Sequence, residues 1–195
     1  MKDKVILVDC DGVLLDWEYS FDRWMKRHGY EIAKDGHGKY RMFEKYGLEK
    51  QEAKRLVRMF NESATIRKLP PLRDAIKYVK KLHEEHGYIF HCITSLSKDQ
   101  YAQHLRTKNL IEMFGPSVFE EYIYLDTGAD KDEILKEYEP GHWWIEDKPE
   151  NCEAGKRAGH KSIIIDHPYN KDYHGAIRVT NWREIYNLVT ADETQ

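Results

Sequence analysis

Asp9 and Asp11 stand two residues apart at the end of the apolar run Val5-Ile6-Leu7-Val8, and Gly12 follows at once. A carboxylate leaving water needs a cation, hydrogen-bond donors, or both. Further on, Thr94 and Ser95 close a second apolar run, Lys131 opens a helical pattern, and Glu146-Asp147-Lys148 follows Trp143-Trp144-Ile145. Crowded oxygen ligands of this type suit a hard ion such as Mg²⁺, which completes its shell with water and substrate phosphate. Hydroxyls, a lysine and the backbone N–H groups of the turn after Asp9 are donors that a phosphoryl group takes. Acids around a metal and donors around a phosphate together imply phosphoryl transfer.

These residues can meet only if the elements carrying them place them at one edge. Val5 to Asp9 reads as a buried strand of a parallel sheet. Asp16 caps a helix with Trp17, Phe21, Trp24 and Met25 on one face, ended by Gly29. Segments around Tyr40 to Tyr46 and Leu48 to Phe60 continue in helical pattern, and Pro70-Pro71 breaks the chain before a helix from Leu72 to Gly87. Strands and helices then alternate. Tyr88 to Thr94, Tyr122 to Leu125, Trp143 to Ile145 and Ser162 to Ile165 read as strands. Between and after them come helices: one opened by a Ser97/Gln100 capping box and running to about Lys108, one at Asp130 to Tyr138, one at Asn151 to Ala158, and a last one capped by Asn181. Ala191 to Gln195 reads as a loose tail. The alternation predicts an α/β fold, a Rossmann-like parallel sheet with helices on both faces and the ligand beyond the carboxyl ends of the strands.

A strand–helix–strand unit takes about 30 residues or somewhat more, far fewer than the chain from Asp9 to Thr94. The surplus predicts an inserted helical cap over 17–69, with the core domain formed by 1–16 and 70–195. Trp17, Phe21, Trp24, Phe43, Tyr46 and Phe60 could stack on a nucleobase or an apolar leaving group. Helical spacing favours lobe core for Phe21, Trp24 and Phe60, whereas Trp17, just past the acidic turn, is the substrate candidate. The basic runs Lys54-Arg55 with Arg58, and Arg67-Lys68, read as solvated charges, one of which could meet a second phosphate.

In order, Asp9-Cys10-Asp11-Gly12-Val13, Ile93-Thr94-Ser95, Lys131 and Ile145-Glu146-Asp147-Lys148-Pro149-Glu150-Asn151 resemble the four motifs of the haloacid dehalogenase (HAD) superfamily of phosphohydrolases. With Leu69-Pro70-Pro71-Leu72 before the second motif and Asp130-Lys131, the chain looks most like the 5′(3′)-deoxyribonucleotidases and related phage and bacterial nucleotidases. The resemblance implies Asp9 as nucleophile, forming an aspartyl-phosphate, and Asp11 as general acid and then base. It implies Thr94, with Ser95 beside it, on the phosphoryl oxygens and Lys131 neutralising nucleophile and phosphate. Mg²⁺ would lie between Asp9, Asp147 and the backbone carbonyl of Asp11, with Glu146 either a direct ligand or a support. Those nucleotidases tend to carry two aspartates where this chain has Glu146-Asp147, which leaves the ligand within that pair open. Lys148 is the rival of Lys131 for the phosphate, and Asn151 either caps its helix or supports Asp147.

An acid two residues after the nucleophile selects phosphate ester over halide, because an alkoxide leaving group needs a proton. The expected activity is a Mg²⁺-dependent phosphomonoesterase, a 5′-nucleotidase acting on nucleoside monophosphates. The alternatives are a phosphatase for another small metabolite or a nucleic-acid 3′-phosphate, and a catalytically silent nucleotide- or protein-binding member. The net charge of −3 offers no global attraction to nucleic acid or membrane, and the sequence has no apolar run of spanning length and no signal-peptide core after Met1-Lys2-Asp3-Lys4. A cytoplasmic location is expected, with Cys10, Cys92 and Cys152 reduced. His83, His86 and His91, without a thiolate pair, do not suggest zinc.

Overall fold

A computed structural model describes residues 4–193. Met1 to Asp3, part of the start weighed as a leader, and Thr194 and Gln195 of the expected tail lie outside the described residues. In chain order the elements are β1 (Val5–Val8), α1 (Trp17–Arg27), α2 (Met42–Tyr46), α3 (Lys50–Asn61), α4 (Ala75–His86) and β2 (Ile89–Ser95). Then follow α5 (Gln100–Phe114), β3 (Phe119–Leu125), α6 (Asp132–Lys136), β4 (Trp143–Glu146), α7 (Pro149–Arg157), β5 (Lys161–Ile165), β6 (Ile177–Val179) and α8 (Trp182–Asp192).

The six strands form one parallel sheet in the order β3-β2-β1-β4-β5-β6. In β1 successive side chains alternate between faces. Ile6 and Val8 join the larger apolar cluster with Val79, Leu105, Ile185 and Val189 of α4, α5 and α8, while Leu7 joins a smaller one with Leu135 of α6 and Ala154 of α7. A strand buried on both faces must be apolar at every position, which is why its pattern is a run rather than an alternation.

The chain reverses its strand order at β1, between β2 and β4, and the crevice at that switch point is where open α/β sheets bind ligands. Register brings the acids there. Val8 pairs with Ile145 and Asp9 N–H donates to the Ile145 carbonyl at 2.9 Å, so Asp9 emerges level with Glu146. The Cys10 carbonyl accepts from the N–H groups of Leu14 and Leu15 at 2.8 and 2.9 Å, closing the turn that carries Asp11. Gly12 sits in it at φ 75°, and a Cβ there would collide with the Asp147 carboxylate, so the position demands glycine on both counts.

The helical segment leaves and returns through a short backbone zipper: Asp16 N–H donates to the Pro70 carbonyl and Leu72 N–H to that of Leu14. Within it, Phe21 stacks on Trp17 and packs edge-on to Phe60 and Tyr46. Phe21, Trp24 and Phe60 are core residues, and their cluster is continuous with that of the sheet. Lys45 of α2 is buried and holds Glu18 at 2.6 Å and Asp22 at 2.7 Å on α1.

Several local expectations need correction. The cap of α5 is Asp99, whose carboxylate accepts from Ala102 N–H, and the Ser97 hydroxyl instead donates to Glu62. That helix continues past Lys108 to Phe114, because Leu110 and Phe114 extend its buried face. The helix expected over Asp130 to Tyr138 is shorter, Asp132–Lys136. Ala191 and Asp192 belong to α8, and Glu193 binds Lys4 and His86, so the described part of the expected tail is tied down. The short strand β6 was not anticipated, since its three residues Ile177-Arg178-Val179 carry too little pattern. Cys10, Cys92 and Cys152 are buried and unpaired. His83, His86 and His91 each spend both ring nitrogens on protein partners.

Candidate active site

The carboxyl ends of β1, β2 and β4 open into a cavity of about 1070 Å³ lined by Asp9, Asp11, Thr94, Ser95, Lys131, Glu146 and Asp147, together with Trp17 from α1. The structure therefore gathers all eight residues singled out from sequence. Lys131, at the N-terminal cap position of α6, is buried and lies 2.7 Å from Asp9 Oδ1 and 3.1 Å from Glu146 Oε2. Burial opposes its charge, but Asp9 and Glu146 outweigh that and hold the ammonium protonated above its ordinary range. Lys148, the rival, lies 4.0 Å from Asp130 and, among the described residues, makes no ion pair with Asp9.

Asp9, Glu146 and Asp147 are all buried, and an oxygen from each falls within 4.8 Å of the others. One lysine does not balance three carboxylates. Burial, reinforced by the charge of Asp9, pushes Glu146 well above the usual carboxylate range and Asp147 up to about 7. An all-oxygen set with surplus negative charge fits a divalent hard cation, which would remove that penalty. The two members of the pair differ in what remains free. Glu146 Oε1 accepts from Asn151 Nδ2 at 2.9 Å and from Lys148 N–H at 3.3 Å, and Oε2 from Lys131, so Glu146 is saturated. Asp147 Oδ2 accepts from the Tyr169 hydroxyl, while Oδ1 has no protein partner among the described residues. Asn151 thus neither caps α7, where Lys148 holds that position, nor touches Asp147; it supports Glu146.

Asp11 turns the other way. Its Oδ1 accepts from Arg106 Nη1 at 2.5 Å, and the same nitrogen contacts Cys10 Sγ at 3.0 Å. Burial raises the Asp11 pKa, opposed by Arg106 and then reinforced by Asp9. A carboxyl poised between these influences suits proton transfer to a leaving group. Thr94 is buried at the end of β2, and Ser95 donates to the Ala129 carbonyl at 2.8 Å. Trp17 has one face against Phe21 and its indole N–H on Asn61 Oδ1 at 2.9 Å, which leaves only part of the ring for a ligand.

Five contributors were not foreseen. Arg106 lies in α5, whose buried face mixes Arg106 and Asn109 with Ala102, Leu105, Leu110 and Phe114, so no clean apolar stripe marks it out and only its complete burial does. Tyr169 and Asn170 follow β5 in a short 3₁₀ turn; Asn170 Nδ2 holds the Asp147 and Ile165 carbonyls, both at 2.8 Å. His167 stacks on Tyr169 and its Nε2 contacts the Gly12 carbonyl at 2.7 Å, and Tyr40 packs on the far side of the same site against Tyr169. The Asp166-His167-Pro168-Tyr169-Asn170 stretch directly after an apolar strand was the available signal, because strand ends in such sheets face the ligand.

Comparison with known proteins agrees with this geometry. A Bordetella pertussis protein named "Putative 5′(3′)-deoxyribonucleotidase" is 28% identical over 193 residues, covering 93% of this chain and 94% of its own length. Among solved structures, a haloacid dehalogenase-like family hydrolase from Streptococcus pneumoniae superposes with a TM-score of 0.65 at 14% identity, over 95% of this chain and 98% of that one. Bacillus subtilis YfnB, solved with magnesium, gives a TM-score of 0.61 at 12% identity over 97% and 99% of the two chains. At such identities the structures establish a shared HAD fold. The model of one family matches residues 3–194, and the chain accordingly belongs to the 5′ nucleotidase, deoxy (pyrimidine), cytosolic type C protein (NT5C) family, a group of HAD-type phosphatases.

Proposed function

We propose that the protein is a Mg²⁺-dependent 5′-nucleotidase that removes phosphate from (deoxy)ribonucleoside monophosphates through an aspartyl-phosphate on Asp9. The observation that carries this reading is the pairing of Asp9 with Lys131 at 2.7 Å, at the floor of a cavity large enough for a nucleotide. Asp9 Oδ1 or Oδ2 attacks phosphorus, the bond to the ester oxygen breaks, and Asp11 supplies the proton that the leaving alkoxide takes. Asp11, now ionised and oriented by Arg106, then takes a proton from the water that opens the acyl-phosphate. Lys131 pairs with Asp9 at 2.7 Å and offsets charge on the phosphoryl oxygens, with Thr94 and Ser95 beside it. Asp9, Asp147 and the Asp11 carbonyl would hold Mg²⁺, and Glu146, already saturated, would support. The metal supplies charge stabilisation of the transferring phosphoryl group. The helices over 17–69 act as a cap that excludes water and contacts the nucleoside.

The test is phosphate release from a panel of nucleoside monophosphates, sugar phosphates and 3′-phosphorylated oligonucleotides, with and without Mg²⁺. Nucleotide turnover that needs Mg²⁺ and drops on the order of 10⁴-fold or more in Asp9→Asn is expected, the scale seen when a nucleophile is removed. Release from sugar phosphates alone would overturn the nucleotidase reading, and full activity in Asp9→Asn the assignment of the nucleophile.

A further inference from the structure

The cavity carries more positive charge than one phosphoryl group uses. Along α3, Lys50, Lys54 and Arg58 recur every four residues, a spacing that aligns side chains on one helix face, and all three line the same cavity as Asp9 and Asp11. Among the described residues Lys50 and Lys54 have no ion-pair or hydrogen-bond partner, and Arg58 has only a loose contact, 3.6 Å from Asp126. Neighbouring basic groups are otherwise engaged: Arg55 is paired with Glu52, and Arg73 donates to the Thr180 and Asp166 carbonyls. Like charges four apart on a helix repel. On an ordinary solvated face such a row is commonly interleaved with acids; here its carboxylate neighbour Glu52 is spent on Arg55. The volume, about 1070 Å³, slightly exceeds the roughly 300–1,000 Å³ typical of small-molecule sites.

We infer that the Lys50/Lys54/Arg58 row of α3 binds a second phosphate, so that the preferred substrate is a phosphomonoester whose leaving group itself carries a phosphate. This deepens the nucleotidase reading and rests on it. The chemistry fits a nucleoside 3′,5′-bisphosphate, and a short 5′-phosphorylated oligonucleotide presents the same feature as a diester. The reacting phosphate sits over Asp9 and Lys131, and the second meets the ammonium and guanidinium groups of α3.

The test compares kcat/KM for thymidine 5′-monophosphate, thymidine 3′,5′-bisphosphate and the dinucleotide pTpT, on wild type and on the double variant Lys50→Gln/Lys54→Gln. Both side chains are exposed, so the variant folds, which a thermal melt verifies. The bisphosphate or the dinucleotide is expected to exceed the monophosphate at least tenfold, mainly through KM. That ratio should fall towards one in the double variant and shrink with added salt. The better of the two identifies the source of the second phosphate. Equal kcat/KM for all three nucleotides overturns the inference and leaves the nucleotidase reading intact, as does an advantage that survives the double substitution. Cleavage of p-nitrophenyl phosphate but of no thymidine nucleotide overturns both.

Discussion

Within the Glu146-Asp147 pair the proposed division into metal ligand and support rests on hydrogen-bond saturation. Glu146 is spent on Asn151, Lys131 and a backbone N–H, whereas Asp147 keeps Oδ1 open and has Oδ2 aimed by Tyr169. Residues that orient a metal ligand in this way shift metal affinity by about 10–100-fold when lost. Tyr169→Phe is therefore expected to raise the Mg²⁺ concentration for half-maximal activity by about 10-fold or more while kcat at saturating Mg²⁺ changes little. A Mg²⁺ titration of activity reads this directly, and an unchanged midpoint would count against the positioning role. Arg106 carries a different cost. Its Nε and Nη2 are buried without partners, and its charge is held in place by Asp11. Arg106→Leu leaves the Asp11 carboxylate without its ion-pair partner and beside Asp9. Breaking a fully buried pair costs about 3–5 kcal/mol, and partial exposure of Asp11 lowers the expected loss to about 2–3 kcal/mol, measurable by urea denaturation.

The elements between β1 and α4 do two jobs with one set of side chains. Phe21, Trp24 and Phe60 hold α1 against α3, and the same cluster runs on into the sheet core. Phe60→Ala should accordingly cost about 3–5 kcal/mol, the range for deleting a buried aromatic ring. Because the core is continuous, the loss should appear as a lower midpoint of one cooperative urea transition. A separate early transition would show that these helices melt alone. The polar side of the same helix, with Lys50, Lys54 and Arg58, lines the cavity, so a single amphipathic pattern supplies both the packing and the cavity wall.

For the molecule as a whole, the surplus of buried carboxylates at the switch point is a store of instability that a bound cation would relieve. Binding to the folded state alone stabilises by about 2.7 kcal/mol at 100 times Kd, and for a chain of this size each kcal/mol moves Tm by about 2–4 °C. Mg²⁺ at saturation is expected to raise Tm by about 5–10 °C over the chelated protein. Asp147→Asn should abolish most of that increment. A melt insensitive to Mg²⁺ would argue that the three acids do not form a metal site.

The sequence by itself determined the parallel α/β core, since apolar runs ending in Asp9, Thr94 and Glu146 state both burial and the point where burial stops. It also placed the acids, hydroxyls and Lys131 at those ends, because strand termini in such sheets converge on one edge. The short strand β6 was beyond its reach, and the ends of α6 were set too wide, as three to five residues carry too little periodicity. The true cap of α5 was also beyond its reach: Glu62, just past α3, takes the Ser97 hydroxyl, and Asp99 caps the helix instead. Only the tertiary structure decided which groups hold the acids: Arg106, Tyr169, Asn151 and Lys131 reach them across 95, 22, 5 and 15 residues. The physical reason is that a carboxylate's protonation and orientation depend on charges and donors within a few ångströms, and apart from Asn151, on the helix that follows its strand, those neighbours are assembled by the sheet order rather than by the chain.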